Sequence, residues 1–216
     1  MAILSEEIRH RLQEELKGLS RKVKLVVFTQ EFECEYCREN TALAQEVASL
    51  SDEIDIEVYN FALDKDAVER YGVDKIPAIV VEGEKDYGIR FYGVPAGYEF
   101  TSLLEAIKAV SAGESGLAPA TKEALRGLQD PLHLQVFITP TCPYCPMAVQ
   151  LAHRMAIESD QVRADMVEAS EFPHLVHRYN VFAVPKTVVN DEVSFEGALP
   201  EPLFLEQVLK ATKAIA

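Results

Sequence analysis

Apolar and polar positions follow a series of patterns along this chain, and the whole series occurs twice. Short β-branched runs at 23–29 and 134–139 predict buried strands. Further runs at 54–61 and 162–169 predict a second strand in each series. A β-hairpin is then predicted in each series, at 78–93 and at 187–197.

Amphipathic helices are predicted between and around these strands, because apolar residues recur there every three or four positions. One helix opens the chain within 4–19, and others close the two series at 99–111 and 201–214. A shorter helix near 119–129 opens the second series. The segment 111–119 contains Gly, Ser and Pro and predicts a linker between the series.

The two series carry the same landmarks in the same order, which predicts an internal repeat. Cys34 and Cys37 recur 108 residues later as Cys142 and Cys145. An apolar residue followed by proline recurs at the same distance, and these pairs are Ile76-Pro77 and Val184-Pro185.

The repeat divides the chain into two predicted units, 1–116 and 117–216. The order of strands and helices places each unit in the α/β class, with a mixed four-stranded sheet flanked by helices. The two sheets could stay separate or pair edge to edge, and the pattern does not decide between these arrangements.

Charge and hydropathy narrow the classes of function. The net charge of −14 argues against nucleic acid as a partner, because phosphate binding needs clustered Lys and Arg. No apolar run approaches the ~18 residues of a membrane span, and Glu6 and Glu7 do not fit a signal peptide. We therefore expect a cytoplasmic protein without a membrane partner. Disulfides in the cytosol are usually catalytic or redox-sensing.

The cysteine pairs are the candidate chemistry, since each pair reads Cys-x-x-Cys and precedes a predicted helix. Two intervening residues let the sulfurs close a small ring without a large backbone movement. Free N–H groups and the helix dipole stabilise a thiolate at a helix N-terminus. Zinc and structural disulfides remain alternatives. Zinc ribbons, however, place their pairs about 15–20 residues apart, whereas 104 residues separate Cys37 from Cys142.

Taken together, these landmarks resemble a known family. A strand, a Cys-x-x-Cys helix, a second strand and a proline about 40 residues after the second cysteine resemble the thioredoxin-like fold. The sequence Cys-Pro-Tyr-Cys at 142–145 is similar to the glutaredoxin active site. Two such units in one chain resemble the two-domain protein disulfide oxidoreductases of thermophilic bacteria and archaea.

The resemblance implies a dithiol–disulfide oxidoreductase that reduces, forms or isomerises protein disulfides. Cys34 and Cys142 would attack the substrate, and their partners Cys37 and Cys145 would resolve the mixed disulfide. The substrate-binding positions that it implies are Tyr36, Ile76, Pro77, Tyr144, Val184 and Pro185, with both prolines following cis peptide bonds.

The implied partners are disulfide-containing proteins and an electron source. That source would be a reductase, for example a flavoprotein, or glutathione, and no cofactor or metal is expected beyond the cysteine pairs. An iron–sulfur cluster at the glutaredoxin-like site is an alternative. A chaperone-like or electron-carrying module that binds peptides without dominant turnover is another.

The sequence departs from the family in ways that separate the two sites. Thioredoxins have a buried carboxylate six residues before the first cysteine, but here those positions are Phe28 and Val136. The first site also lies in a segment with four glutamates and one arginine, for a net charge of −3, while residues 137–148 carry no charge. Because like charges disfavour a thiolate, we predict that Cys142 is a stronger acid than Cys34.

Overall fold

The computed structural model describes residues 3–214, with the side chains of 3–211. Its strands, in chain order, are β1 (Val23–Thr29), β2 (Ile54–Asn60), β3 (Ala78–Glu82), β4 (Asp86–Tyr92), β5 (Leu132–Ile138), β6 (Val162–Glu168), β7 (Lys186–Val189) and β8 (Val193–Glu196). Its helices are α1 (Glu6–Leu16), α2 (Cys37–Ala48), α3 (Lys65–Tyr71), α4 (Phe100–Ala112), α5 (Pro119–Arg126), α6 (Cys145–Glu158), α7 (Pro173–Arg178) and α8 (Glu201–Ala214).

The strands form one mixed sheet in the order β2-β1-β3-β4-β6-β5-β7-β8. In the first half, β1 pairs parallel with β2 and antiparallel with β3, and β3 pairs antiparallel with β4. The second half repeats this arrangement with β5 at its centre. The predicted α/β class with two similar four-stranded units is confirmed.

The two units join because β4 pairs parallel with β6, from Ile89 opposite Ala164 to Tyr92 opposite Val167. The edge-to-edge arrangement that the sequence left open is therefore the observed one. The two units are joined head to tail, since the hairpin edge of the first unit meets the second-strand edge of the next. As a result, residues of one unit lie close to the cysteine pair of the other, and β2 and β8 form the two outer edges of the sheet.

The predicted boundaries need small corrections. Strand β5 begins at Leu132, two residues before the predicted start, and α5 ends at Arg126 rather than near 129. Helix α4 runs through Ala112, so the linker is shorter than 111–119. This helix ends at Gly113, which has the positive φ of 68° that glycine adopts readily and whose N–H bonds to the carbonyl oxygen of Ala109.

The core crosses the boundary between the units. On one face of the sheet, Ile89 and Phe91 of β4 belong to the same buried cluster as Ala164 and Met166 of β6. Helix α4 packs against α6 over this face. Because the two units share one apolar core, their relative orientation is fixed by packing.

A buried charge cluster also holds the boundary together on the other face. Asp165 is fully buried and accepts a hydrogen bond from Arg163 at 2.9 Å. Arg163 also donates to the Tyr92 hydroxyl at 2.7 Å and to the Gly72 carbonyl oxygen at 2.8 Å, both in the first unit. Burial alone would raise the pKa of Asp165, but His133 and Arg163 hold it well below its usual range.

Within residues 3–214, no helix has both the length and the apolar character needed to cross a membrane.

Candidate active sites

Each cysteine pair lies where a central strand meets a helix. The first pair follows β1, and α2 begins at Cys37. The second pair follows β5, and α6 begins at Cys145. Cys34 and Cys37 form a disulfide, as do Cys142 and Cys145, and the Cα atoms in each pair are 5.5 Å apart.

The outer and inner cysteines differ in accessibility. Cys34 is half-buried and Cys142 is 8% exposed, whereas Cys37 and Cys145 are fully buried. In each pair the outer cysteine is thus the more exposed of the two, by a small margin at the second site. The backbone N–H of Cys145 donates to Cys142 Sγ at 3.1 Å. This contact at a helix N-terminus would stabilise a thiolate on Cys142.

A cis proline follows each cysteine pair in the chain, and the loop of the second one borders its disulfide. The peptide bonds Ile76–Pro77 and Val184–Pro185 are both cis. The carbonyl oxygen of Val184 lies 3.9 Å from Cys142 Sγ, so this loop borders the second disulfide. Ile76 and Val184 are partly exposed, which leaves their edge of the loop open to an incoming segment.

The tyrosine within each cysteine pair is also exposed. Tyr36 is 40% exposed and Tyr144 is 67% exposed, and each directly precedes the helix of its site. The pKa of the Tyr36 hydroxyl is raised, mainly by the negative charge of Glu35. Glu171 and Glu168 of the second unit raise it further. Acidic residues thus surround Tyr36.

The surfaces around the two sites differ in chemistry although their backbones correspond. At the second site, Met147 and Phe182 are exposed apolar side chains, Phe182 by 89%. The same repeat positions in the first unit are Glu39 and Asp74. At these two positions the second site is apolar and the first site acidic, although the first site also has an exposed apolar side chain, Phe32.

Two glutamates from the second unit reach the first site, and the sequence did not predict them. Glu171 Oε1 accepts a hydrogen bond from the N–H of Val94 at 2.7 Å, just after β4. Burial, together with the negative charge of Glu168 and of the glutamates at the first site, raises the pKa of Glu171 to about 7. The sequence shows Glu168 near the end of the predicted strand at 162–169 and Glu171 just after it, but not that head-to-tail pairing places them beside the other unit's site.

A third glutamate, Glu99, comes from the first unit and lies in a turn that contacts the segment before Cys142. It is fully buried, and its carboxyl oxygens have no hydrogen-bond partner among the described residues. Burial raises its pKa to about 7. The short turn Gly97–Glu99 packs on α6, and the N–H of Tyr98 donates to the Pro140 carbonyl oxygen at 3.1 Å, two residues before Cys142. Buried, apolar Phe28 and Val136 occupy the positions of the missing thioredoxin carboxylate.

The part of the chain that the structure describes contains no group of three His, Cys, Asp or Glu side chains arranged to hold a metal ion.

Comparison with known proteins agrees with this architecture. The thioredoxin domain family matches the chain twice, at residues 21–105 and 132–210. The chain belongs to this family and contains two of its domains in tandem.

Solved structures with the same tandem arrangement are known. A protein disulfide oxidoreductase from Aeropyrum pernix K1 superposes with a TM-score of 0.91 at 34% identity, covering 97% of this chain and 94% of that one. The NTD_N/C domain of alkyl hydroperoxide reductase from Enterococcus faecalis superposes with a TM-score of 0.87 at 26% identity, covering 95% of this chain and 99% of that one.

Among curated proteins, an NADH dehydrogenase from Bacillus subtilis (strain 168) is 26% identical over 209 residues. The match covers 96% of this chain but 37% of the relative. The chain thus spans about a third of the length of this relative.

Proposed function

We propose that this protein is a dithiol–disulfide oxidoreductase that reduces, forms or isomerises disulfides of other proteins. One observation carries the proposal. In both units the more exposed of two cysteines precedes a fully buried one at the start of a helix, and a cis proline with a partly exposed residue before it follows in the chain. The likeness to a protein disulfide oxidoreductase over nearly the whole chain supports it.

The reduced protein would react in two steps. The thiolate of Cys34 or Cys142 attacks one sulfur of a substrate disulfide, forming a mixed disulfide and releasing one substrate thiolate. The thiolate of Cys37 or Cys145 then attacks the outer cysteine, closing the protein disulfide and releasing the second substrate thiolate. Two electrons and two protons pass from the dithiol to the substrate, and oxidation of a substrate dithiol is the reverse.

The proline loops would position the substrate. An extended substrate segment would pair with the backbone of Ile76 or Val184, as a short case of strand addition. Tyr36 and Tyr144 would border the segment beside the reacting sulfur. These roles account for the exposed position of both tyrosines next to largely buried sulfurs.

The electron source would be a reductase, in keeping with the names of the relatives. One relative is an NADH dehydrogenase, and another is part of an alkyl hydroperoxide reductase of Pseudomonas aeruginosa. We propose that a reductase, for example a flavoprotein, or glutathione returns this protein to its dithiol state.

Two further expectations from the sequence stay predictions. One is that the protein is cytoplasmic, and the other is that the boundary between the two units lies near residue 116.

Reduction of insulin driven by dithiothreitol tests the proposal. The wild-type protein should accelerate the reaction, and a variant with Ser at all four cysteine positions should lose the acceleration. Equal activity of the two proteins would reject the proposal.

A peptide-binding module is the second candidate, and the exposed side chains Tyr144, Met147 and Phe182 around one site favour it. The same four-serine variant separates the two candidates. If it still suppresses aggregation of an unfolding protein as well as the wild type does, binding rather than exchange is the main function.

A further inference from the structure

The two sites have equivalent backbones but different neighbours on one side. Gly93 and Gly197 follow the hairpin in their units, and each donates its N–H to the carbonyl oxygen of the site proline at 2.9 Å. A Cβ on Gly93 would lie 2.6 Å from Glu168 Cβ and 2.9 Å from Glu171 Oε1. A Cβ on Gly197 would meet nothing within 4 Å. Next to the site proline, therefore, the described residues of the other unit form a wall at the first site, made by Glu168 and Glu171, and none at the second.

Each of the two carboxylates in that wall has an oxygen without a hydrogen-bond partner among the described residues. Glu168 is 2% exposed, and its Oε2 accepts from the N–H of Glu171 at 2.8 Å. Glu168 Oε1 and Glu171 Oε2 have no hydrogen-bond partner among the described residues. A buried carboxylate oxygen without a partner is costly, so this pair of side chains favours an incoming donor or cation above about pH 7, where Glu171 is ionised.

Glutamates of the first unit extend the same acidic surface. The first-site glutamates are Glu31, Glu33, Glu35 and Glu39, and all four are exposed. The matching repeat positions of the second pair hold the uncharged residues Thr139, Thr141, Pro143 and Met147.

Few cations balance this surface. Arg38 is the one basic residue within 30–40. Lys75, beside the proline loop, is already engaged, because its Nζ lies 2.6 Å from Asp74 and 3.8 Å from the centre of the Tyr92 ring. The groove at the first site is therefore acidic on the side of its own helix and on the side of the second unit.

We infer that the first site selects disulfides whose cysteine is flanked by lysine or arginine, and that Glu171 together with Glu35 determines this specificity. The inference rests on the proposed thiol–disulfide exchange. A cationic side chain next to the reacting cysteine would lie between the glutamates of the two units. The second site, with its uncharged rim, has no such preference.

Single-turnover kinetics test the inference in the full-length protein. One variant keeps only the first site (Cys142→Ser with Cys145→Ser), and the other keeps only the second (Cys34→Ser with Cys37→Ser). Each variant is reduced and mixed with three symmetrical peptide disulfides that differ only in a Lys, Gln or Glu next to the cysteine. The second-order rate constant of peptide reduction is measured for each.

The first-site protein should reduce the Lys peptide about tenfold faster than the Glu peptide, and about 0.5 M NaCl should largely remove the difference. The second-site protein should treat the peptides alike. Glu171→Gln and Glu35→Gln should each lower the Lys preference, while Glu192→Gln, an exposed glutamate in the distant hairpin turn, should not.

Equal reduction of the three peptides by the first-site protein would overturn the inference and leave the proposed function intact. A preference that survives both Glu171→Gln and Glu35→Gln would also overturn it. Failure of the first-site protein to reduce any of the peptides would reject thiol–disulfide exchange at that site, and the inference with it.

Discussion

Single residues decide how the two cysteine pairs differ. The outer cysteines occupy equivalent positions, but glutamates surround Cys34, while Cys142 receives an N–H from the first turn of its helix. Negative charge disfavours a thiolate, and the amide favours it. The sequence predicts that Cys142 is a stronger acid than Cys34, and the N–H contact at Cys142 favours the same order.

The acidity of the outer cysteines can be measured separately. In reduced Cys34→Ser and Cys142→Ser variants, the alkylation rate of the remaining outer cysteine is followed against pH by mass spectrometry. We expect Cys142 to reach half its maximal rate about one pH unit below Cys34. A Cys34 that is as acidic as Cys142 would contradict the asymmetry.

Glu99 should make stability depend on pH. Its pKa is raised to about 7 in the folded protein by burial, while an unfolded glutamate titrates near 4.5. The folded state therefore binds the extra proton between these values, and its stability falls as pH rises through this window.

Glu99→Gln removes that titration, so the variant should gain free energy of unfolding relative to wild type as pH rises. The difference should grow by about 3 kcal/mol between pH 4 and pH 8. Urea unfolding at several pH values measures it. A difference that does not change with pH would show that Glu99 titrates normally in the folded protein.

At the scale of elements, the short turn Gly97–Glu99 couples the first unit to the second site. Gly97 has a positive φ of 60°, and a Cβ there would collide with the Pro140 carbonyl oxygen. That oxygen lies in the segment between β5 and Cys142. We therefore expect a substitution in this turn to change the reactivity of the second cysteine pair.

Gly97→Ala is expected to lower the reactivity of reduced Cys142 and to destabilise the fold by about 1–3 kcal/mol. Gly116→Ala is the matched control, since Gly116 has a similar φ of 66° but open space around its Cβ position. Cys142 alkylation and urea midpoints are compared. An equal loss of Cys142 reactivity in both variants would mean that backbone strain, not the contact with Pro140, is responsible.

Local sequence patterns predicted the elements better than the contacts between them. The runs at 23–29 and 162–169 lie on β1 and β6 because buried strands have a clear apolar signature. Strand β5 was predicted short because His133 interrupts the apolar run. The cysteine pairs were found from motif and spacing, and the cis proline loops were implied by the family resemblance. Glu99 and Glu171 could not be predicted, because each reaches its site only through packing between the units.

At the scale of the whole molecule, one sheet and one shared core join the two units. The charge cluster of Arg163, Asp165 and His133 lies at this boundary, and Arg163 bonds across it to Tyr92 and Gly72. We therefore expect the two units to unfold together rather than in sequence.

Asp165→Asn tests this expectation. The change leaves Arg163 and His133 without their shared carboxylate and should cost about 3 kcal/mol of unfolding free energy. Urea unfolding followed by circular dichroism should show a single transition at lower urea, in the variant as in wild type. Separate transitions for the two units would contradict a shared core.

The central claim is that the outer cysteine of each pair attacks substrate disulfides. The most direct measurement traps the mixed disulfide in a variant with Cys37→Ser and Cys145→Ser, mixed with an oxidised peptide and analysed by peptide mapping. We predict stable peptide adducts on both Cys34 and Cys142. Unmodified Cys34 and Cys142, while the same peptide is reduced by the wild-type protein, would contradict the account.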